Sequence, residues 1–346
     1  MPPHRHDRSQ DEPILRVDDL VTSFPIRRGV FGRAMVEAVA GVSLTVGVGE
    51  SLGLVGESGC GKSTVARTIV GLARPASGSV IIDGSEVGRL SREQAAEVRR
   101  TVQMVFQDPF SSLNRHMTVR ELICEPWRVH RGIEPRDHWD DRVAELLELV
   151  GLSPSHADRR PGQFSGGQLQ RISIARALAV RPRLLIADEA VSALDVSIQA
   201  QILNLLRKLG EDLGLAMLFI SHDLSVVRHV CDRVAVMYLG TIVETGTRDQ
   251  IFTQPVHPYT QALMAAAPDL YPWRVQRPQR ELDDGEVPSP ANPPSGCRFR
   301  TRCPKAAERC SLEVPALELR GFDHPSACHF AADDGFIDQP QEAVRQ

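Results

Sequence analysis

Gly56-Glu57-Ser58-Gly59-Cys60-Gly61-Lys62-Ser63 has glycines five positions apart followed at once by a Lys-Ser pair, the spacing of a phosphate-binding loop. Backbone N–H groups from Gly59 to Ser63 can wrap β- and γ-phosphates, because glycine permits close approach. A helix starting near Lys62 aims its positive end at the same anion. Lys62 adds a point charge, and the Ser63 hydroxyl suits Mg2+. Downstream, Asp188 and Glu189 close the apolar run Leu184-Leu185-Ile186-Ala187. A buried strand there would deliver both carboxylates to the sheet edge where open α/β folds bind ligands. Asp188 then suits the Mg2+ shell, and Glu189 suits polarising an attacking water. Alone, such a pair is more often a strand end meeting solvent; the loop upstream reverses the odds. Ser165 can cap a helix whose Leu169, Ile172, Ala175 and Leu178 are spaced to bury one face. The N–H groups of Gly166 and Gly167, ahead of Gln168, make a second phosphate-binding helix start.

These groups need elements to hold them. Residues 14–24 alternate as an edge strand would, and 36–55 contain two strand candidates, the second being Ser51 to Val55. That strand feeds directly into the glycine loop, and Lys62 to Leu72 reads as a helix, which is the context the loop needs. Val102 to Phe106 is a short strand candidate. The stretch 109–182, punctuated by Pro109, Pro126, Pro135, Pro154, Pro161 and Pro182, reads as an inserted helical subdomain. Strand signals return at 184–188, 216–221, 233–239 and in Ile242-Val243-Glu244. The composition shifts from about Pro255, with Pro288, Pro290, Pro293 and Pro294 excluding helix and central strand. The expected divisions are a tail at 1–13, a nucleotide-binding domain at 14–250, an extension at 251–335 and a tail at 336–346.

The 346 residues, 42% of them hydrophobic, suffice for one large domain with an appendage. A net charge of −4 argues against a nucleic-acid partner. No apolar run approaches the ~18–20 residues that span a bilayer, and the polar start lacks a secretory signal. A cytosolic chain is expected, with membrane contact made only through partners.

The loop, the Ser165-Gly166-Gly167-Gln168 tetrad and the Asp188-Glu189 pair, in that order, resemble the nucleotide-binding subunits of ATP-binding cassette (ABC) transporters. The resemblance implies an α/β, RecA-like P-loop domain with an antiparallel β subdomain, an inserted helical subdomain and a small cysteine-containing C-terminal extension. It implies ATP hydrolysis with Mg2+. Gly56, Ser58, Gly59, Cys60, Gly61, Lys62, Ser63 and Thr64 would bind ATP, with Phe24 stacking on adenine. By position Gln107 matches the Q-loop glutamine that senses Mg2+ and water, His222 the switch histidine at the γ-phosphate and Asp195 the D-loop. The tetrad would face ATP held by an opposing subunit. Ala190-Val191 departs from the family's usual Pro-Thr after the glutamate.

Pro255-Val256-His257-Pro258-Tyr259-Thr260-Gln261-Ala262-Leu263 and Gly285-Glu286-Val287-Pro288-Ser289-Pro290 are similar to the extension of oligopeptide and dipeptide importer ATPases. Phe24 to Gly29 and Phe31-Gly32-Arg33 are similar to the second of the two ATPases in such importers. The resemblance implies a second ATPase subunit as heterodimer partner, two transmembrane permease subunits and an extracytoplasmic binding protein, with the chain peripheral on the cytoplasmic membrane face. Nickel or another small solute is an alternative cargo, and a soluble ABC ATPase of translation or DNA repair an alternative class. Cys297, Cys303, Cys310 and Cys328 are four of the seven cysteines, with gaps of five, six and seventeen residues. Cytosolic thiols stay reduced, which disfavours disulfides. A four-cysteine site suits zinc or an iron–sulfur cluster; the wide gaps, the Cys303-Pro304 pair and the importer resemblance favour a 4Fe–4S cluster over zinc.

Overall fold

Alternation along the strands sorts their side chains into two cores, one on each face of a large sheet. The computed structural model describes residues 12–28, 32–266 and 288–331. The chain opens with β1 (Leu15–Arg28), β2 (Gly32–Val46), β3 (Ser51–Val55), α1 (Lys62–Ile69), β4 (Ser77–Ile82), β5 (Ser85–Glu86), α2 (Arg92–Thr101) and β6 (Val102–Val105). A helical stretch follows: α3 (Pro109–Ser112), α4 (Val119–Val129), α5 (Trp139–Leu149) and α6 (Gly166–Leu178). Next come β7 (Leu184–Asp188), α7 (Val196–Leu213), β8 (Ala216–Ser221), α8 (Leu224–Val230), β9 (Arg233–Tyr238) and β10 (Thr241–Thr247). The last elements are α9 (Arg248–Thr253), α10 (Pro258–Ala266), α11 (Glu308–Leu312), β11 (Glu318–Leu319) and β12 (Pro325–Ser326).

The smaller sheet has four antiparallel strands in the order β2-β1-β4-β5. Residues 14–24 are therefore not an edge: β1 lies between β2 and β4. Alternation reports one buried face but not neighbours, and here the second neighbour comes from Ser77 onward. The larger sheet has eight strands in the order β11-β12-β10-β9-β3-β8-β7-β6, with parallel pairing from β9 through β6. In β8, Leu218 and Ile220 join Leu52, Leu54 and Ile186 against the small sheet, whereas Met217 and Phe219 face Leu185 and the helical side. Both faces are covered, so these strands read as unbroken apolar runs.

The helical stretch packs on the second core through Leu122, Leu146, Leu169 and Ile172, all fully buried. α6 is buried on more than the face expected, since Ile174 and Ala177 are also inside. In α4 the indole of Trp127 donates to the Ala179 carbonyl at 2.8 Å. The boundary expected near residue 250 falls within α9, and β12 extends the same sheet by pairing with β10. Residues 1–11, Phe31, the segment Gly285 to Val287 and the tail at 336–346 lie outside the described residues.

Trp127→Ala should destabilise the chain by about 3–5 kcal/mol, by emptying a core site and stranding the Ala179 carbonyl. Urea unfolding of the nucleotide-free protein measures this.

Candidate nucleotide-binding site

Residues 56–61 join β3 to α1, and glycine is required there on steric grounds. Gly56 and Gly61 have φ of 154° and 110°, and a Cβ on either would stand 2.1 Å from a carbonyl oxygen, of Met237 or Ala38. No side chain caps the start of α1 and its first turn holds no acidic residue. Its leading N–H groups are thus left for an anion. Lys62 is 3% exposed, and its ammonium donates to the carbonyls of Gly56 at 2.7 Å and Glu57 at 2.8 Å. Burial pushes the Cys60 thiol up, against the pull of Lys62, so it stays protonated.

β7 brings Asp188 to this loop, where the Ser63 hydroxyl donates to its Oδ1 at 2.8 Å. Asp188 is 5% exposed. Burial holds its carboxyl above the usual aspartate range; the Ser63 bond opposes this and the neighbouring Glu189 adds to it. A hydroxyl and a buried carboxylate side by side are the hard oxygen donors that Mg2+ prefers, so the pair fits that ion.

Glu189 adopts a left-handed backbone, φ 46°, and its N–H bonds the Ile220 carbonyl at 3.0 Å. Strained non-glycine conformations of this kind concentrate at functional sites. His222, just past β8, has Nδ1 3.6 Å from Glu189 Oε1. Gln107, past β6, donates to the Ser192 hydroxyl at 3.3 Å, and that hydroxyl donates to the Glu189 carbonyl at 3.0 Å. Ser192 is a link that no motif in the sequence marks. Ala190 and Val191, the departure from Pro-Thr, are buried in the core.

The structure thus gathers Lys62, Ser63 and Asp188, and joins Glu189 with His222 and, through Ser192, with Gln107. The tetrad packs against Phe110, Leu194 and Ile198. Ser165 and Gln168 form a reciprocal cap on α6, the Ser165 N–H bonding Gln168 Oε1 at 3.1 Å. A Cβ on Gly167 would lie 2.4 Å from Ile198, so α6 and α7 approach closely there. Asp195 is an exposed N-cap of α7 whose side chain makes no cap bond. Phe24, on β1 opposite Val36, is 41% exposed and is not a core residue.

Cys297, Cys303, Cys310 and Cys328 are free thiols near one another, and the Cys297 N–H bonds the Cys310 carbonyl at 2.8 Å. Burial raises Cys297, Cys303 and Cys328, and each is raised further by thiols of the same set, Cys303 to about 11. Backbone N–H groups of Phe299 and Arg300 face the Cys297 sulfur, that of Lys305 faces Cys303 and that of Phe330 faces Cys328. Among the described residues, no three or more His, Cys, Asp or Glu side chains are gathered closely enough for a single metal ion. None of the described helices is long and apolar enough to cross a membrane.

A phosphate loop on the carboxyl edge of a parallel sheet, backed by a buried aspartate and a strained glutamate, defines a P-loop ATPase. The ABC transporter family matches residues 39–192, and the family "Oligopeptide/dipeptide transporter, C-terminal region" matches residues 243–310. The oligopeptide transport ATP-binding protein AppF of Bacillus subtilis is 50% identical over 93% of this chain and 98% of its own length. OppF of Salmonella typhimurium is 49% identical over 92% of this chain and 96% of its own. The di/tripeptide transport protein DppF of Pseudomonas aeruginosa is 47% identical over 92% and 98%. A solved dimeric ATP-binding cassette in a post-hydrolysis state with ADP and phosphate has a TM-score of 0.60 at 29% identity, covering 68% of this chain and 98% of that one. The chain belongs to the ABC transporter ATPases, in the branch that carries the oligopeptide/dipeptide transporter C-terminal region.

The raised Asp188 carboxyl sets a sign. The folded chain holds this proton more tightly than the unfolded one, so stability falls as pH rises from the ordinary aspartate range to the native value. Asp188→Asn should therefore raise the melting temperature of the nucleotide-free protein at pH 7, with the gain vanishing toward pH about 4. Thermal unfolding at the two pH values checks it.

Proposed function

We propose that this chain is the ATP-hydrolysing subunit of an importer of oligopeptides or dipeptides, peripheral on the cytoplasmic face of the membrane. The observation that carries the reading is the Ser63–Asp188 contact beside the phosphate loop, with Glu189 and His222 adjoining it. The cargo class rests on the relatives, which are named as peptide transport ATP-binding proteins and align over nearly the whole chain.

In this reading the amides from Gly59 to Thr64 hold the phosphates, together with Gly56, Ser58, Cys60 and the Lys62 charge. Phe24 stacks on adenine. Ser63, Asp188 and Gln107 provide oxygen ligands to Mg2+, which when bound neutralises charge on the β- and γ-phosphates. Glu189 orients and polarises the attacking water, and His222 contacts the γ-phosphate from beside it. Gln107, tied to Glu189 through Ser192, links the water site to the helical stretch that begins at Pro109. Ser165, Gly166, Gly167 and Gln168, with Asp195, complete the site of a second ATPase subunit in a heterodimer. Phe110 is 62% exposed beside a concave surface that includes Leu113, Arg115, His116 and Pro161, a seat for one of two permease subunits. An extracytoplasmic binding protein would deliver the peptide. The cassette spans residues 14–250 and the extension 251–335.

For the extension we propose a 4Fe–4S cluster on Cys297, Cys303, Cys310 and Cys328. The support is a set of four free thiols that perturb one another, with backbone N–H groups directed at three of the sulfurs. Hydrogen bonds of that kind tune cluster sulfurs. The cluster would staple a proline-rich segment.

Glu189→Gln should retain ATP binding and lower hydrolysis in the assembled complex by roughly 10²–10⁴-fold. Lys62→Ala should instead lose binding; near-normal hydrolysis in Glu189→Gln removes the assigned base. Anaerobically purified protein should be brown with about four irons per chain, lost in Cys303→Ser. Colourless protein with one zinc per chain would make the site a zinc staple.

A further inference from the structure

Every polar group of Glu57, the second residue of the phosphate loop, is engaged. Its carbonyl accepts from Lys62 at 2.8 Å, and its N–H donates to the Tyr259 hydroxyl at 2.8 Å. Its carboxylate accepts both terminal nitrogens of Arg302, at 2.9 and 3.0 Å. Tyr259 and Arg302 lie 202 and 245 positions away, in the part of the chain beyond β10. The Arg302 side chain is 8% exposed, and its guanidinium sits 5.9 Å from the ring centres of Tyr238 and Phe299. Tyr238, Tyr259 and Phe299 are themselves fully buried against one another. A second tie runs beside the first: Arg298 donates to the Leu239 carbonyl, and the next N–H, of Gly240, bonds the Cys60 carbonyl at 2.8 Å.

A carboxylate in a phosphate loop is chemically out of place. Unpaired, its charge would repel the triphosphate that the loop's amides and Lys62 attract, and partial burial would strengthen the repulsion. A two-point guanidinium–carboxylate contact cancels that charge and fixes its geometry in a way an ammonium cannot. We propose that Arg302 is a positioning residue for nucleotide binding: by neutralising and anchoring Glu57 it sets how tightly the phosphate loop holds ATP. This rests on the loop's being the ATP site. It gives the region beyond β10 a direct hold on that site, with Cys303 the next residue along the chain.

The test is equilibrium binding of a fluorescent ATP analogue with Mg2+ to the full-length chain, with melting of each nucleotide-free variant as the folding control. Arg302→Ala should weaken binding about 10-fold, the usual scale of coupling between distinct sites. Arg302→Lys should fall between it and wild type. The double variant Arg302→Ala/Glu57→Gln should recover most of the loss, which a packing role for the guanidinium would not allow. Wild-type affinity in Arg302→Ala overturns the proposal, and so does a double variant as weak as the single. Should Arg302→Ala not fold, Arg302→Gln with and without Glu57→Gln makes the same comparison with the same overturning results. Failure of wild type itself to bind the analogue would strike the ATP reading instead.

Discussion

An anion site made of backbone N–H groups works only if the loop presenting them is held from outside the site. A slack loop would turn those groups to water, and the ordering entropy would fall on each binding event. Here the support is complete. Gly56 and Gly61 press against the carbonyls of Met237 and Ala38, and the loop hangs from β3, which is paired on both sides. Glu57 is fixed at its N–H, carbonyl and carboxylate. Lys62 lies beneath the loop, so its charge is placed by the same framework.

The parallel sheet performs a second task with the same geometry. Because both faces are covered, β7 carries Asp188 into the interior and ends beside Ser63. The cost is a carboxylate that burial disfavours, relieved in part by the Ser63 hydroxyl and by the charges of Arg67 and Lys62. Glu189 follows in a strained conformation, tied through Ile220 to β8, whose end also sets His222. Neighbouring strands thus place Asp188, Glu189 and His222 at one edge of the sheet without any long loop between them.

The chain beyond residue 250 is built into this framework. Glu244 of β10, fully buried, accepts from the N–H groups of Val256 and His257 at 2.7 and 3.0 Å, and His324 Nε2 lies 2.7 Å from its Oε1. Burial lowers His257 to about 4, so it is neutral and accepts the Tyr259 N–H through Nδ1. This hydrogen-bonded junction keeps Tyr259 in place against the phosphate loop. Glu244, His257 and His324 are scattered in sequence, and nothing in their spacing suggests a cluster.

Local pattern determined much of this protein. The strand–loop–helix at 51–69 was legible from its apolar run, glycine spacing and a Lys-Ser pair, since the turn and the helix start are set by neighbours in sequence. The same holds for the Ser165 cap and for Asp188-Glu189 at the end of an apolar run. Neighbours were a different matter. That β1 is internal, that β12 completes the sheet of β3, and that Gln107 reaches Glu189 through Ser192 depend on pairings across tens to hundreds of positions. The Arg302–Glu57 contact spans 245 positions, and an arginine in a cysteine-rich segment carries no mark of its partner. Residue types and spacing determine what chemistry a segment can do; which distant segment stands beside it is decided only when burial folds the chain back on itself.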